Sequence, residues 1–356
     1  MKIEYVLAGV IVVLVGVGVA VILKDDPANK EAAATSSDAP QNVMPFVEIE
    51  NPAGFVNTND QPIKIADYVG KQVILLDIMT YSCINCQRSF PYVAKWYETY
   101  KDDGLIVIGI HTPEFAFEKE KANVEKAMRQ FGIKFPVVLD NDYATWNALG
   151  NKFWPRKYLI DIHGNIVYDH IGEGAYEETE EKIKELLAER AEVLGMQETF
   201  EEGLTASEIS EVKAAADSPE TYFGSLRNEY IGNGVMGKVG RQSFIFPGSI
   251  EKNRLYFGGT WNIFGEFAVS EAQSTVHYKY VAKEVYIVAE SDTGGTIEVL
   301  QDGAAVTTAG GADVSQGKVE VNDSRLYKLI KNDSPGEHML ELRVSPGVKL
   351  FAITFG

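Results

Sequence analysis

The only two cysteines of this 356-residue chain, Cys83 and Cys86, are spaced C-x-x-C, and no other feature restricts its fold so much. They follow the apolar run Val73-Ile74-Leu75-Leu76, which reads as a buried strand. After them, Gln87 to Tyr97 returns apolar residues at helical spacing once past Pro91. Cys83 is therefore expected where the end of a strand gives way to the first turn of a helix. Unpaired amides and the positive end of the helix dipole favour a thiolate there. A thiolate is the species that attacks a disulfide, and a second sulfur at this spacing can resolve the mixed disulfide. The same pair could be a structural disulfide or half of a zinc site. Zinc needs two further ligands, and His111, His163, His170, His277 and His338 show no paired spacing. A C-x-x-C between strand and helix is the context that redox chemistry requires.

Two cysteines cannot staple a scaffold, and the length suggests about two domains that bury ordinary cores. The net charge of −18 argues against nucleic acid or an anionic lipid surface as a partner. Val6 to Leu23 is uncharged and rich in Val, Ile and Leu, long enough to cross most of a hydrocarbon core. No small-residue cleavage site follows it directly, so residues 1–24 are expected to stay as a transmembrane anchor, with the folded parts outside the cytoplasm. Residues 25–42, rich in Ala, Ser, Asp and Pro, read as a flexible tether.

Residues 43–195 alternate strand and helix patterns. Short strands are expected at Phe55–Thr58 and Ile63–Ile65, and a buried one at Leu105–Ile110. Helical periodicity over Phe117–Phe131 precedes a strand at Phe135–Leu139 and a short helix at Tyr143–Leu149. Lys157–Ile162 and Asn165–Tyr168 form a hairpin, and Tyr176–Leu194 is a charged amphipathic helix. This is an α/β layered sheet.

Four features make the region similar to thioredoxin, and more narrowly to the extracytoplasmic TlpA and DipZ type. Asp77 stands six residues before Cys83. Thr80-Tyr81-Ser82-Cys83-Ile84-Asn85-Cys86-Gln87-Arg88 resembles the DipZ motif, His111 to Glu118 resembles the segment inserted after the second core strand, and Trp154-Pro155 precedes the hairpin. The resemblance implies a thioredoxin fold in which Cys83 attacks, Cys86 resolves and Asp77, buried, relays a proton. Pro155, in a cis bond, would present the substrate backbone, with Trp154, Tyr81 and Arg88 at the substrate. Arg88 could raise thiolate character at Cys83 or be a solvated face residue. His111 and Glu114 could flank the site or simply end a strand. No cofactor is expected beyond the Cys83–Cys86 disulfide. Thr80-x-x-Cys83 also matches part of a peroxiredoxin pattern, but Leu76 stands where that pattern wants proline.

Residues 196–217 are expected to be an acidic helical linker, Glu201 to Ala216 being the helix. Residues 218–356 change to Gly, Tyr, Phe, Val and Thr, with short alternating stretches between turns such as Gly294-Gly295, Asp302-Gly303 and Pro346-Gly347. They read as an antiparallel sandwich of the jelly-roll kind. This half resembles the C-terminal domain of DipZ proteins at Pro219 to Gly224, Val285 to Val288 and Val348 to Gly356. Similar folds bind carbohydrate, which makes Trp261, Phe264 and Tyr222 candidate stacking platforms. DipZ proteins carry a multi-helix membrane domain ahead of these two. A chain with one anchor would either take its electrons from a separate membrane protein or not be a reductase; protein thiols or disulfides are its expected substrates, and cytochrome c maturation is implied by the family alone. The rival expectation is a surface glycan-binding protein whose C-x-x-C is a structural clip. Separate apolar periodicities lead to the further expectation that the halves unfold independently.

Overall fold

A computed structural model describes residues 44–197, 205–209 and 216–356. The expected anchor, the tether and most of the linker lie outside these residues. Among the described residues, no helix is long and apolar enough to cross a membrane.

The first half is built on β1 (Met44–Pro45), β2 (Gly54–Val56), β3 (Val73–Met79), β4 (Leu105–His111), β5 (Val137–Leu139), β6 (Arg156–Ile160) and β7 (Asn165–Ile171). They form one sheet in the order β1-β7-β6-β3-β4-β5-β2, with β3, β4 and β5 parallel, β6 antiparallel to β3, and β7 antiparallel to β6. The helices are α1 (Ile84–Tyr100), α2 (Lys121–Gln130), α3 (Ala144–Ala148) and α4 (Tyr176–Leu194). This is the thioredoxin-like fold that the motif strand suggested.

All seven residues of β3 are buried, because helices or loops cover both faces of the sheet. Side chains alternate across the strand. Val73, Leu75 and Met79 pack into one core with α1 and α4, while Ile74, Leu76 and Ile78 pack into the other with Ile108, Ile110 and Tyr158. Asp77 shares its parity with the first set and so points toward α1.

Several boundaries differ from the expectations. Helix α1 starts at Ile84, just past Cys83 as the motif predicts, although its apolar periodicity shows only beyond Pro91, which lies inside it. Ile63–Ile65 is not a strand. The Glu48 carboxylate accepts the amides of Ile65 (2.8 Å) and Ala66 (3.1 Å) and starts a 3-10 turn over Ile65–Asp67. The Phe117–Phe131 helix is broken at Glu120 into a 3-10 turn, Ala116–Lys119, and α2. In the linker region, Thr205–Glu208 is a 3-10 turn and Ala216 bridges to Ala282, so no helix reaches Ala216.

The second half is all-β and antiparallel: β8 (Thr221–Tyr222), β9 (Gly240–Phe244), β10 (Leu255–Ile263), β11 (Ala268–Ser270), β12 (Ser274–Glu290), β13 (Gly295–Gln301), β14 (Ala304–Ala305), β15 (Lys318–Val321), β16 (Arg325–Val344) and β17 (Lys349–Phe355). Two pairs of expected strands merge into the long β12 and β16. Strand β12 pairs β10 through its first half and β17 through its second, and the register slips between Ala282 and Glu284. Because β10 pairs β11 and β11 pairs β17, these strands close a ring around an apolar core. Trp261 lies in that core with no exposed surface, its Nε1 donating to Gly258 O at 3.0 Å, so it is not a sugar platform. Tyr222 is taken up by side-chain partners at the seam between the halves, and Phe264 stays exposed, stacked on Phe267.

Besides a core of its own in each half, the two halves share one. Tyr286, Val288, Leu326, Phe351 and Ala352 belong to the same apolar cluster as α1 and α4. The Phe351 ring meets Phe115 at 5.1 Å and Phe117 at 4.9 Å. Burial of apolar surface across this seam couples the halves. Phe351→Ala should therefore cost about 3–5 kcal/mol, the usual penalty for emptying a buried phenylalanine site. Calorimetry of the full chain should show both halves melting in one transition that moves down in the variant. Two transitions, with only one shifted, would contradict a joined core.

Candidate active site

Strand β3 ends at Met79, and Thr80, Tyr81 and Ser82 turn the chain into α1. Cys83 is the N-cap of that helix, with extended backbone angles (φ −75°, ψ 122°) and a half-buried side chain. Cys86, one turn in, is fully buried. Burial pushes the Cys86 thiol well above its ordinary range, and the adjoining Cys83 sulfur adds to the push, while the Thr80 amide works against it. The arrangement gives one sulfur access to solvent at a helix N-terminus and keeps the other protonated in the interior.

Asp77 sits beneath the pair, fully buried, on the face of the sheet that carries α1. Its partner was not anticipated. Lys157 of β6 is directly opposite in register, fully buried, with Nζ 3.7 Å from Asp77 Oδ1. The only hint in the sequence was a lysine at the head of an otherwise apolar strand, two residues past Pro155. Neither group has a hydrogen bond to any other described residue. Burial raises the Asp77 pKa and Lys157 opposes the rise, leaving the net direction upward. The result is a carboxyl group able to hold and release a proton next to Cys86.

A second buried carboxylate shapes the turn. Glu118 is fully buried, and its Oε1 accepts from Thr80 Oγ1 (2.5 Å), Ser82 N (3.1 Å) and Ser82 Oγ (2.7 Å). Its Oε2 accepts from Glu114 N (2.6 Å) and Phe115 N (3.0 Å). Glu118 thereby ties the inserted segment to the residues just before Cys83. The Thr80 hydroxyl is committed to this carboxylate, which removes the feature that resembled a peroxidase. His111 is also buried, stacked on Tyr81 at 5.7 Å with Nε2 3.5 Å from Thr80 Oγ1, and burial holds its pKa down at about 3.

The remaining expected residues divide. Trp154–Pro155 is a cis peptide, with Trp154 Nε1 donating to Thr112 O at 3.0 Å and its ring 4.3 Å from Trp146. Tyr81 is buried, its hydroxyl donating to Ser324 O of the all-β half at 3.0 Å. Arg88 is neither a solvated face residue nor a free cation beside Cys83. Its side chain is 7% exposed, pairs with Glu173 at 3.1 Å and lies over the Tyr286 ring, so its charge is already answered. Glu114 points away to the second half, bound by Arg227 at 2.8 Å and Tyr222 at 2.9 Å. Among the described residues no cluster of His, Cys, Asp and Glu is arranged to hold a metal ion.

A thioredoxin-like sheet with C-x-x-C at the head of α1 and a buried acid below defines a class, the thiol–disulfide exchange proteins. A family model described as Redoxin matches residues 27–187, and one described as Thioredoxin like C-terminal domain matches residues 218–356. Protein DipZ of Mycobacterium tuberculosis is 36% identical over 311 residues, 87% of this chain and 42% of that protein. Thiol-disulfide oxidoreductase ResA of Bacillus subtilis is 31% identical over 140 residues, 39% of this chain and 69% of ResA. Among solved structures, a thioredoxin family thiol:disulfide interchange protein from Chlorobium tepidum matches 42% of this chain and 99% of its own at 20% identity, TM-score 0.36. The chain belongs to the thioredoxin-like thiol–disulfide oxidoreductases, of the DipZ and TlpA type. It spans less than half the length of DipZ.

Two outcomes follow for stability. Folded Asp77 holds its proton more tightly than the unfolded chain does, so its contribution declines as pH rises above the ordinary carboxylate range. Replacing the pair together by apolar residues, Asp77→Leu with Lys157→Met, should raise stability at neutral pH by about 1–3 kcal/mol, as such replacements of buried ion pairs often do. Denaturant midpoints measure this, and a loss would mean that the pair holds the fold together. His111 has the opposite sign. The unfolded chain takes its proton near pH 6.5 and the folded one only near about 3, so stability falls as pH drops through that window. In urea titrations His111→Gln should flatten the fall, and an unchanged slope would exclude the histidine as its source.

Proposed function

We propose that Cys83 and Cys86 form the redox couple of a thiol–disulfide oxidoreductase tethered outside the cytoplasm by residues 6–23. The observation that carries this reading is the unequal pair: Cys83 half-exposed at the head of α1, Cys86 buried above Asp77.

In the reducing direction, the Cys83 thiolate attacks one sulfur of a substrate disulfide. A Cys83–substrate disulfide forms and the other substrate sulfur leaves as a thiolate, which takes up a proton. Cys86 then loses its proton to Asp77, and the new thiolate attacks Cys83 Sγ. The Cys83–Cys86 disulfide forms and the second substrate thiolate leaves. Two electrons pass from the dithiol to the substrate disulfide, and the same steps run backwards oxidise a dithiol. A reduced dithiol protein in the membrane would restore the Cys83 and Cys86 thiols by the same exchange. Lys157 steadies Asp77 whenever Asp77 is ionised, and Pro155 and Trp154 border the edge at which a substrate backbone would lie. Extracytoplasmic protein thiols, including those to which haem is attached in cytochrome c, are the substrates that family membership suggests.

The test is trapping. Cys86→Ser should accumulate a mixed disulfide between Cys83 and a substrate protein, because attack proceeds and resolution cannot. Cys83→Ser should accumulate little, since the remaining thiol is shielded. Non-reducing electrophoresis reads both. If Cys83→Ser traps as well as Cys86→Ser, these roles are wrong.

A further inference from the structure

The outer face of α1, from Ile84 to Pro91, is only partly open to water. It looks across a groove to the all-β half, and the groove has two chambers of about 360 and 310 Å³. Gln87, Ala312 and Lys328 line both, so the chambers meet at these three residues. Tyr81 lines the first chamber and Ile84 the second, the residues on either side of the Ser82–Cys83 step. Each volume is within the range of specific ligand sites.

Among the described residues, the charges along the groove are answered in place with one exception. Arg325 pairs with Asp313 at 2.7 Å and Arg88 with Glu173 at 3.1 Å, while Lys126 pairs with Asp323 and Lys331 lies 3.8 Å from Glu284. Lys328 is exposed at the junction, and no ion pair to its ammonium is formed by any described residue; only its backbone amide is engaged, by Asp313 Oδ2. Apolar surface stands on either side of it, Phe131 and Leu326 in one chamber, Pro91 and Ile330 in the other. A cation that no described residue pairs, set between two apolar lobes, matches an extended chain, in which alternate side chains on one face lie about 7 Å apart. A small thiol would leave most of this space empty, and the two walls exclude a folded surface.

We propose that the groove binds an extended polypeptide segment of the redox substrate, with a carboxylate of that segment on Lys328. The all-β half thus selects which disulfide reaches Cys83. The proposal rests on the redox reading above and adds the recognition element.

The experiment uses the full chain, reduced, in detergent. The probes are a synthetic peptide of about ten residues, enough to run through both chambers and their rims when extended, and bis(2-hydroxyethyl) disulfide. The peptide carries its cysteine as a mixed disulfide with a thionitrobenzoate chromophore, in one version with aspartate nearby and in another with asparagine. Ala312→Trp and Gln130→Trp place bulk on opposite walls at exposed positions. Each should slow both peptides by about tenfold, the effect of roughly one lost anchoring contact, and leave the small disulfide unchanged. Lys328→Glu should slow the aspartate peptide by about tenfold, as expected for a lost charged hydrogen bond, and spare the asparagine peptide. Unchanged peptide rates in both tryptophan variants would overturn the groove, as would equal slowing of peptide and small disulfide. Equal sensitivity of the two peptides to Lys328→Glu would overturn the carboxylate contact. A parent chain that fails to reduce bis(2-hydroxyethyl) disulfide would instead defeat the redox reading itself, and this proposal with it.

Discussion

The structure depends on the complete burial of β3. A strand covered on both faces can carry almost nothing polar, yet Asp77 lies in its middle and Lys157 faces it from β6. Two unlike charges in that position are tolerated because each is the nearest compensation for the other at 3.7 Å. Such a pair is a poor way to stabilise a core; burial is what keeps the Asp77 carboxyl's proton affinity high, and Lys157 limits the rise. The position also matters: Asp77 shares the α1 face with Cys86 through strand alternation alone.

The end of the same strand is where chemistry becomes accessible. Backbone amides at the start of α1 have no partners inside the helix, and Cys83 occupies that cap. The turn leading there is held by Glu118, whose five donors come from the turn itself and from the inserted segment. A carboxylate so fully satisfied can remain buried, and its geometry leaves Thr80 and Ser82 little freedom. The inserted segment is then more than decoration on the sheet. Through Glu118 it fixes the turn that leads to Cys83, and through Phe115, Phe117 and Glu114 it joins the second half.

The all-β half stands close to this site. Tyr81, two residues before Cys83, donates to Ser324 O, and Arg88 meets Tyr286. Residues that in an isolated thioredoxin-like domain would face water are here part of a seam. This explains why Arg88 is mostly buried and why its charge is met by Glu173.

From the sequence alone came the C-x-x-C pair, its place between strand and helix, the alternating α/β order, and the change to an all-β second half. These are local properties: run lengths, spacing, and turn residues that depend on neighbours a few positions away. Family resemblance added Asp77 and the cis Trp154–Pro155 bond. Only the tertiary structure decided the rest. Lys157 looked like an ordinary strand-edge lysine, and only the pairing of β6 with β3 puts it against Asp77. Glu118 read as part of an amphipathic helix, and only the fold of the insert carries it to Ser82. Whether Trp261 is a core aromatic or a platform, and whether Arg88 faces solvent or Cys83, stays open in the sequence, because periodicity cannot tell which face will be covered or by what. The merged cores have the same cause, since an apolar stripe states that something must cover it, and the identity of the cover is fixed by contacts between residues as far apart as Phe117 and Phe351.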